Sequence, residues 1–341
     1  MKRNGIILVA VLLLGAVTTY LVMNSGKGSV DREMRDFAFA DTASVDKIFL
    51  ADKTGKNVTL VRQADGTWTV NEQYKARPDA ITNLLRTIHD VSVREPVGAK
   101  ARENVIKQLI TGSIKCEIYV NDEMVRLYYV GTETPDMLGT HMLLADPETQ
   151  ENSSEPFIME IKGFNGYLTT RYSPDVREWR DKAAFQYHVP DIRSVKVEHN
   201  GEPENSFIIT QSPQMKYDLQ SATGQPLPFD TVNVRQYLSY FIRLGFAEFQ
   251  NSYEKKDSIL ATPPAHIITV QDASGQKNVV KLYHKPGEGV LASDTTQRFD
   301  VDNMFATVNN GTDFVLVQYF VFGKLLQTPA YFKRPTDTQI Q

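Results

Sequence analysis

The stretch VGTETPDMLGTHMLL, residues 130–144, brings Glu133, Asp136 and His141 within nine positions, flanked by Gly131 and Gly139. A carboxylate beside an imidazole is a pairing that general acid/base chemistry uses, with the carboxylate orienting the ring and the ring moving the proton. A working relay also needs a pocket and a nucleophile or a metal, and the neighbouring sequence offers none of these. Pro135-Asp136 and Gly139 are turn residues, while VRLYYVG before them and HMLL after them read as strands. The expectation is therefore a solvated connection: Glu133, Asp136 and His141 are weak candidates on a surface loop, and no catalytic residue is assigned.

The other chemistry-bearing residues are dispersed. His89, His141, His188, His199, His266 and His284 show neither H-x-H nor H-E-x-x-H spacing, and a zinc site takes three or four converging ligands, so no metal is expected. Cys116 is the single cysteine, which excludes a disulfide within the chain. It alternates with Ile114 and Ile118 on one strand face, where burial among aliphatic groups suppresses the thiolate. SGKGS at residues 25–29 lacks the P-loop spacing, and neither G-x-G-x-x-G nor G-x-S-x-G occurs, so no cofactor is expected. Trp68, Tyr128, Tyr129, Phe164, Tyr167, Tyr172 and Trp179 fall mostly at alternating or helical spacing, which makes them core residues rather than a platform for sugars.

The elements that must position these residues repeat along the chain. VDKIFL (Val45 to Leu50), VTLVR (Val58 to Arg62) and TWTV (Thr67 to Val70) read as strands separated by TGKN and ADG turns. RPDAITNLLRTIH follows, with Ile81, Leu84, Leu85 and Ile88 on one helical face and Pro78 in its first turn. The same order returns in IRSVKVE, SFIIT and KYDLQ, after which Asp230 can cap a helix carrying Val234, Tyr237, Leu238 and Phe241. Beyond these, ENVIKQL, IKCEIYV and VRLYYVG parallel DSILA, HIITVQ and VVKLYHK. The expected fold class is α+β, an N-terminal transmembrane helix followed by two tandem repeated domains, each an antiparallel sheet backed by helices.

The N-terminus supplies the address. Nineteen uncharged residues, Gly5 to Met23, follow MKRN, enough at about 1.5 Å per residue to cross the hydrocarbon of a bilayer. Lys2 and Arg3 before the run keep the N-terminus cytoplasmic and send the rest across the membrane. No A-x-A cleavage pattern follows, which favours an uncleaved anchor over a signal peptide. The expected organisation is residues 1–4 cytoplasmic, 5–23 a transmembrane signal anchor, 24–44 a stalk, 45–187 and 190–332 the two α+β repeats, and 333–341 a polar tail. The expected location is the inner (cytoplasmic) membrane, single-pass, with the body in the periplasm. Without Lys2 and Arg3 the chain carries 35 basic against 41 acidic residues, a formal charge of −6, which argues against nucleic acid as a partner. The tripeptides at Asp41, Asp230, Asp257 and Asp294 fit an Asp-Ser/Thr-apolar pattern of bacterial O-glycosylation, but helix-cap and turn chemistry accounts for them as well.

VDKIFL, VTLVR, GTWTVN, DAITNLL, VGTETPDMLGTH and REWRDKAAF together resemble the bacterial domain-of-unknown-function 4340 family, over the body from Asp41 almost to the end. The resemblance implies a membrane-anchored accessory protein of the envelope, of the kind associated with ABC-type transport or assembly systems, and it carries no catalytic residue. The expected function is a non-enzymatic protein–protein interaction scaffold whose partners are the membrane, through residues 5–23, and envelope or transporter proteins. The alternatives are a periplasmic glycan- or lipid-binding module and a hydrolase built on Glu133, Asp136 and His141.

Overall fold

The computed structural model describes residues 35–287 and 299–333. The expected cytoplasmic N-terminus (1–4), anchor (5–23) and nearly all of the polar tail (333–341) lie outside them. Among the described residues no helix is long and apolar enough to cross a membrane. The described chain consists chiefly of two large antiparallel sheets with few helices, and its contacts separate it into two units, Met1–Asp181 and Lys182–Gln341.

The first unit is built from β1 (Lys47–Ala51), β2 (Asn57–Arg62), β3 (Trp68–Val70), β4 (Tyr74–Lys75), α1 (Pro78–Asp90), β5 (Val91–Pro96), α2 (Ala99–Gly112), β6 (Ile114–Val120), β7 (Glu123–Glu133), β8 (Thr140–Ala145), β9 (Phe157–Ile161) and α3 (Val176–Trp179). Its nine-stranded sheet runs β4-β3-β2-β1-β6-β7-β8-β9-β5. Register explains the core. Ile48 pairs with Leu60 and Ile118, and Leu50 with Val58 and Cys116, so alternation along each strand puts all six side chains on one face, fully buried. The same core takes Ile81, Leu84 and Ile88 from the apolar face of α1. Each such aliphatic contributes about 1.5–3 kcal/mol by leaving water. Asn121 and Asp122 close the β6–β7 hairpin with both φ angles positive, 50° and 63°, the twist that a two-residue hairpin turn requires.

The stalk expected over residues 24–44 is corrected from Asp36 onward. Phe37 is completely buried in the first core, and the Phe39 N–H donates to the Ile88 carbonyl at 3.0 Å. Arg126 on β7 binds Asp36 at 2.6 Å and the Ala38 carbonyl at 3.4 Å. The physical reason is the apolar content of DFAFA, which a solvated stalk would leave in water.

The second unit comprises β10 (Ala183–Phe185), β11 (Ile192–His199), β12 (Phe207–Gln211), β13 (Tyr217–Ser221), α4 (Thr231–Ser239), β14 (Leu244–Gly245), β15 (Glu248–Phe249), α5 (Lys256–Leu260), β16 (His266–Asp272), β17 (Lys277–Pro286), β18 (Phe299–Val308), β19 (Asp313–Gln318) and α6 (Tyr319–Phe322). Asp230 caps α4, its carboxylate accepting from the Val232 N–H at 2.8 Å. The eight-stranded sheet runs β13-β12-β11-β16-β17-β18-β19-β15. Taken in sequence order, that is the arrangement β3-β2-β1-β6-β7-β8-β9-β5 of the first unit, with β4 added there. β10 pairs with β14, so the strand at Ala183–Phe185 belongs with the second unit and the division falls after Asp181, ahead of the expected Tyr187.

Candidate functional site

The turn between β7 and β8 is the segment that first suggested chemistry. Glu133 ends β7, exposed and paired with Thr140 across the ladder. His141 lies on β8 rather than on a loop, opposite Ile158, and lines a crevice of about 30 Å³ with Leu109, Gly112 and Gly131. Only Asp136 is in the turn. Its carboxylate accepts from the Thr134 hydroxyl at 2.5 Å and the Leu138 N–H at 3.0 Å, and pairs with the Arg94 guanidinium at 3.3 Å. The Thr134 hydroxyl first, then the Leu138 N–H and Arg94, hold the Asp136 carboxyl below the usual carboxylate range, which makes it a weaker base. His141 Nδ1 is buried without a hydrogen-bond partner, and no hydrogen bond joins it to Glu133 or Asp136. The three residues do not form a relay.

What the turn does is present apolar side chains. The Thr134 N–H donates to the Gly139 carbonyl at 2.9 Å, the Met137 N–H to the Thr134 carbonyl at 2.8 Å, and the Gly139 N–H to the Thr134 hydroxyl at 3.0 Å. Inside this bracing Met137 sits at φ 59°, a left-handed conformation that costs a long side chain about 1–2 kcal/mol. Met137 is 53% exposed and Leu138 45%. The turn thus combines a left-handed Met137 with two apolar side chains in water.

The second unit also exposes apolar side chains, on the strand that matches β8. β17 and β18 correspond to β7 and β8, and β18 opens with Phe299 and Val301, 46% and 62% exposed. α6 packs against β18 and carries Phe320, 95% exposed. His284 stacks on Phe299 with ring centroids 4.3 Å apart and planes at 15°, and its Nδ1 lies 3.5 Å from the Tyr319 hydroxyl. Burial would raise the Asp300 carboxyl, but the Lys285 ammonium at 2.9 Å and the Asp302 and Asn303 N–H groups overcome it and hold the group down to about 2. Asp300 is thus an ionised strut between two exposed apolar neighbours.

A groove of about 560 Å³ opens beside Arg126 in the first unit, lined by Asp146, Thr149, Glu151, Asn152 and Ser153 over an apolar floor that includes Leu127 and Leu144. Cys116 is fully buried, and burial pushes its thiol up to about 12, which ends its candidacy as a nucleophile. Trp68, Tyr128, Tyr172 and Trp179 are core residues, as their spacing suggested, whereas Phe164 is exposed under the Arg171 guanidinium at 4.3 Å. Sequence spacing gave no sign that His199, His266 and His284 are neighbours. Among the described residues no group of three or more His, Cys, Asp or Glu side chains is placed to hold a metal ion. No family model matches the chain, and neither a curated protein nor a solved structure matches it.

Proposed function

We propose that this chain is a non-enzymatic docking protein of the bacterial envelope, single-pass in the inner membrane through residues 5–23, with its body in the periplasm as tandem repeats of one α+β domain. Its partner in this reading is a protein of a transport or assembly system, as the resemblance to the domain-of-unknown-function 4340 family implies. The observation that carries the reading is the placement of exposed apolar side chains. Met137 and Leu138 are exposed in the turn before β8 of one unit, and Phe299 and Val301 on β18, the strand that matches β8 in the sheet order of the other. Exposed apolar groups brought together on rigid backbone favour association, because their burial against a partner releases water without ordering a loop.

The test places a photo-crosslinking amino acid at Met137, at Phe320 and, as a control, at Val232, in the full-length protein in its native membrane. A discrete protein adduct from Met137 or Phe320 and none from Val232 supports docking. The same adducts from all three positions, or none from any, overturns it. A second reading, a glycan-binding module, is favoured by the hydroxyl, amide and carboxylate groups of the Arg126 groove, which suit a polar ligand better than a lipid. Saturation-transfer NMR with envelope oligosaccharides decides it.

A further inference from the structure

His199 and His266 are distant in sequence and face each other in the β11–β16 ladder, where the register places them opposite one another. Their Nδ1 atoms are 2.9 Å apart, with ring centroids at 4.8 Å and planes at 79°. His199 is buried, and its Nε2 lies 3.1 Å from the Gln327 carbonyl oxygen. A carbonyl only accepts, so His199 Nε2 carries its proton, and the neutral ring presents a bare Nδ1. The 2.9 Å contact then requires the proton on His266 Nδ1. The tautomers of both rings follow from one backbone oxygen.

Gln327 belongs to the C-terminal strap, residues 323–333, which continues directly from α6. The Tyr237 hydroxyl donates to the Leu325 carbonyl at 2.8 Å, the Asp230 N–H to the Phe332 carbonyl at 2.7 Å, and Phe332 is buried against Phe207 and Tyr237. On the other side, His266 is 6.5 Å from His284, the ring stacked on Phe299.

We infer that the His199–His266 pair is an acid-sensitive latch, which pins the C-terminal strap through Gln327 while a single proton lies between the two rings and releases it when both are charged. Release changes the support of α6 and of β18 beside it, which carries the exposed Phe299 and Val301. That last consequence rests on the docking reading; the latch itself does not.

The chemistry of each proton is specific. A first added proton makes an imidazolium that donates to a neutral ring, with one N–H still between the two Nδ1 atoms whichever ring holds it. A second must enter between the rings, where two N–H groups then meet across 2.9 Å, so the rings part and His199 is drawn off the Gln327 carbonyl. Glu202, in the turn after β11, favours charge on His266, while His199 on β11 and His284 on β17 oppose it. Tyr319 on α6 and the Asp300–Lys285 pair lie around His284. Burial first, then the neighbouring imidazoles, hold His266 down to about 4 against an ordinary 6.5. A folded value below the unfolded one means that the stability is fully present above 6.5 and is lost as pH falls through about 4.

The experiment is amide hydrogen exchange on the full-length protein in detergent, from about pH 7 to about pH 3.5, corrected for intrinsic exchange rates. The expected result is that amides of residues 323–333 lose protection about tenfold relative to β16 and β17. His266→Asn keeps an N–H donor near the Nδ1 position and cannot take a charge, so its strap retains protection. A wild-type strap unchanged over the range, or an H266N strap that opens at the same pH, overturns the latch. Should H266N fail to fold, nitrogen NMR of the wild-type imidazoles decides: Nδ1–H on His266 with Nε2–H on His199 is required, and any other pair of tautomers overturns it. Crosslinking from Phe320 at neutral pH separates the two ideas, since its absence removes docking and leaves the exchange result to judge the latch.

Discussion

Asp136 and Met137 show how a residue that suggests catalysis can serve structure instead. The Asp136 carboxylate is occupied by Thr134, Leu138 and Arg94, all within the turn or beside it. Asp136→Ala should speed amide exchange at Leu138 and weaken crosslinking from Met137. Retained exchange protection at Leu138 in that variant would show that the backbone bonds alone hold the turn. Met137→Gly tests strain directly: relief of the left-handed φ outweighs the added chain entropy, so urea unfolding should show a gain of about 0.5–1 kcal/mol together with weaker docking. Stability and binding moving in opposite directions would mark the strain as functional. Cys116, sealed in the first core with its thiol pushed up, should resist maleimide at neutral pH until the first unit unfolds, as mass measurement before and after urea would show.

Among the elements, α2 lies close against the β7–β8 hairpin because Gly131 leaves room for it. A Cβ at that position would come 2.5 Å from Leu109 Cδ2 and 3.0 Å from the His141 carbonyl oxygen. Gly131→Ala should therefore cost about 1–3 kcal/mol in urea unfolding, and no loss would mean that α2 shifts freely. Local periodicity made much of this level readable. VDKIFL, VTLVR and TWTV lie at β1, β2 and β3, the helix over Ile81 to Ile88 is α1, and Asp230 caps α4. Two features escaped it. DFAFA looked like linker because its contact with Ile88 joins residues far apart in sequence, and the His199–His266 contact arises from a strand register that composition does not encode. The candidate loop was legible as a turn, but the exposure of Met137 and Leu138 was not, since an apolar pair in a turn looks the same in sequence whether packed or free.

At the scale of the molecule, each core takes its buried side chains from one unit, Phe37 to Trp179 in the first and Ala184 to Phe332 in the second. Ile48→Ala should lower the stability of the first unit by about 2–5 kcal/mol, and calorimetry should then show one transition moved and the other in place. A single transition displaced as a whole would mean that the units unfold together. The shared strand order also governs how such a chain is made. β1 takes β6 as its neighbour, pairing Lys47 with Tyr119, and the sheet ends with Val91 against Ile161. Loops of that span close slowly. A nascent first unit thus leaves one edge of β1 unpaired until the chain through Val120 has emerged, and β5 unpaired until Ile161 has followed. During synthesis, this is the interval in which a chaperone has most to protect.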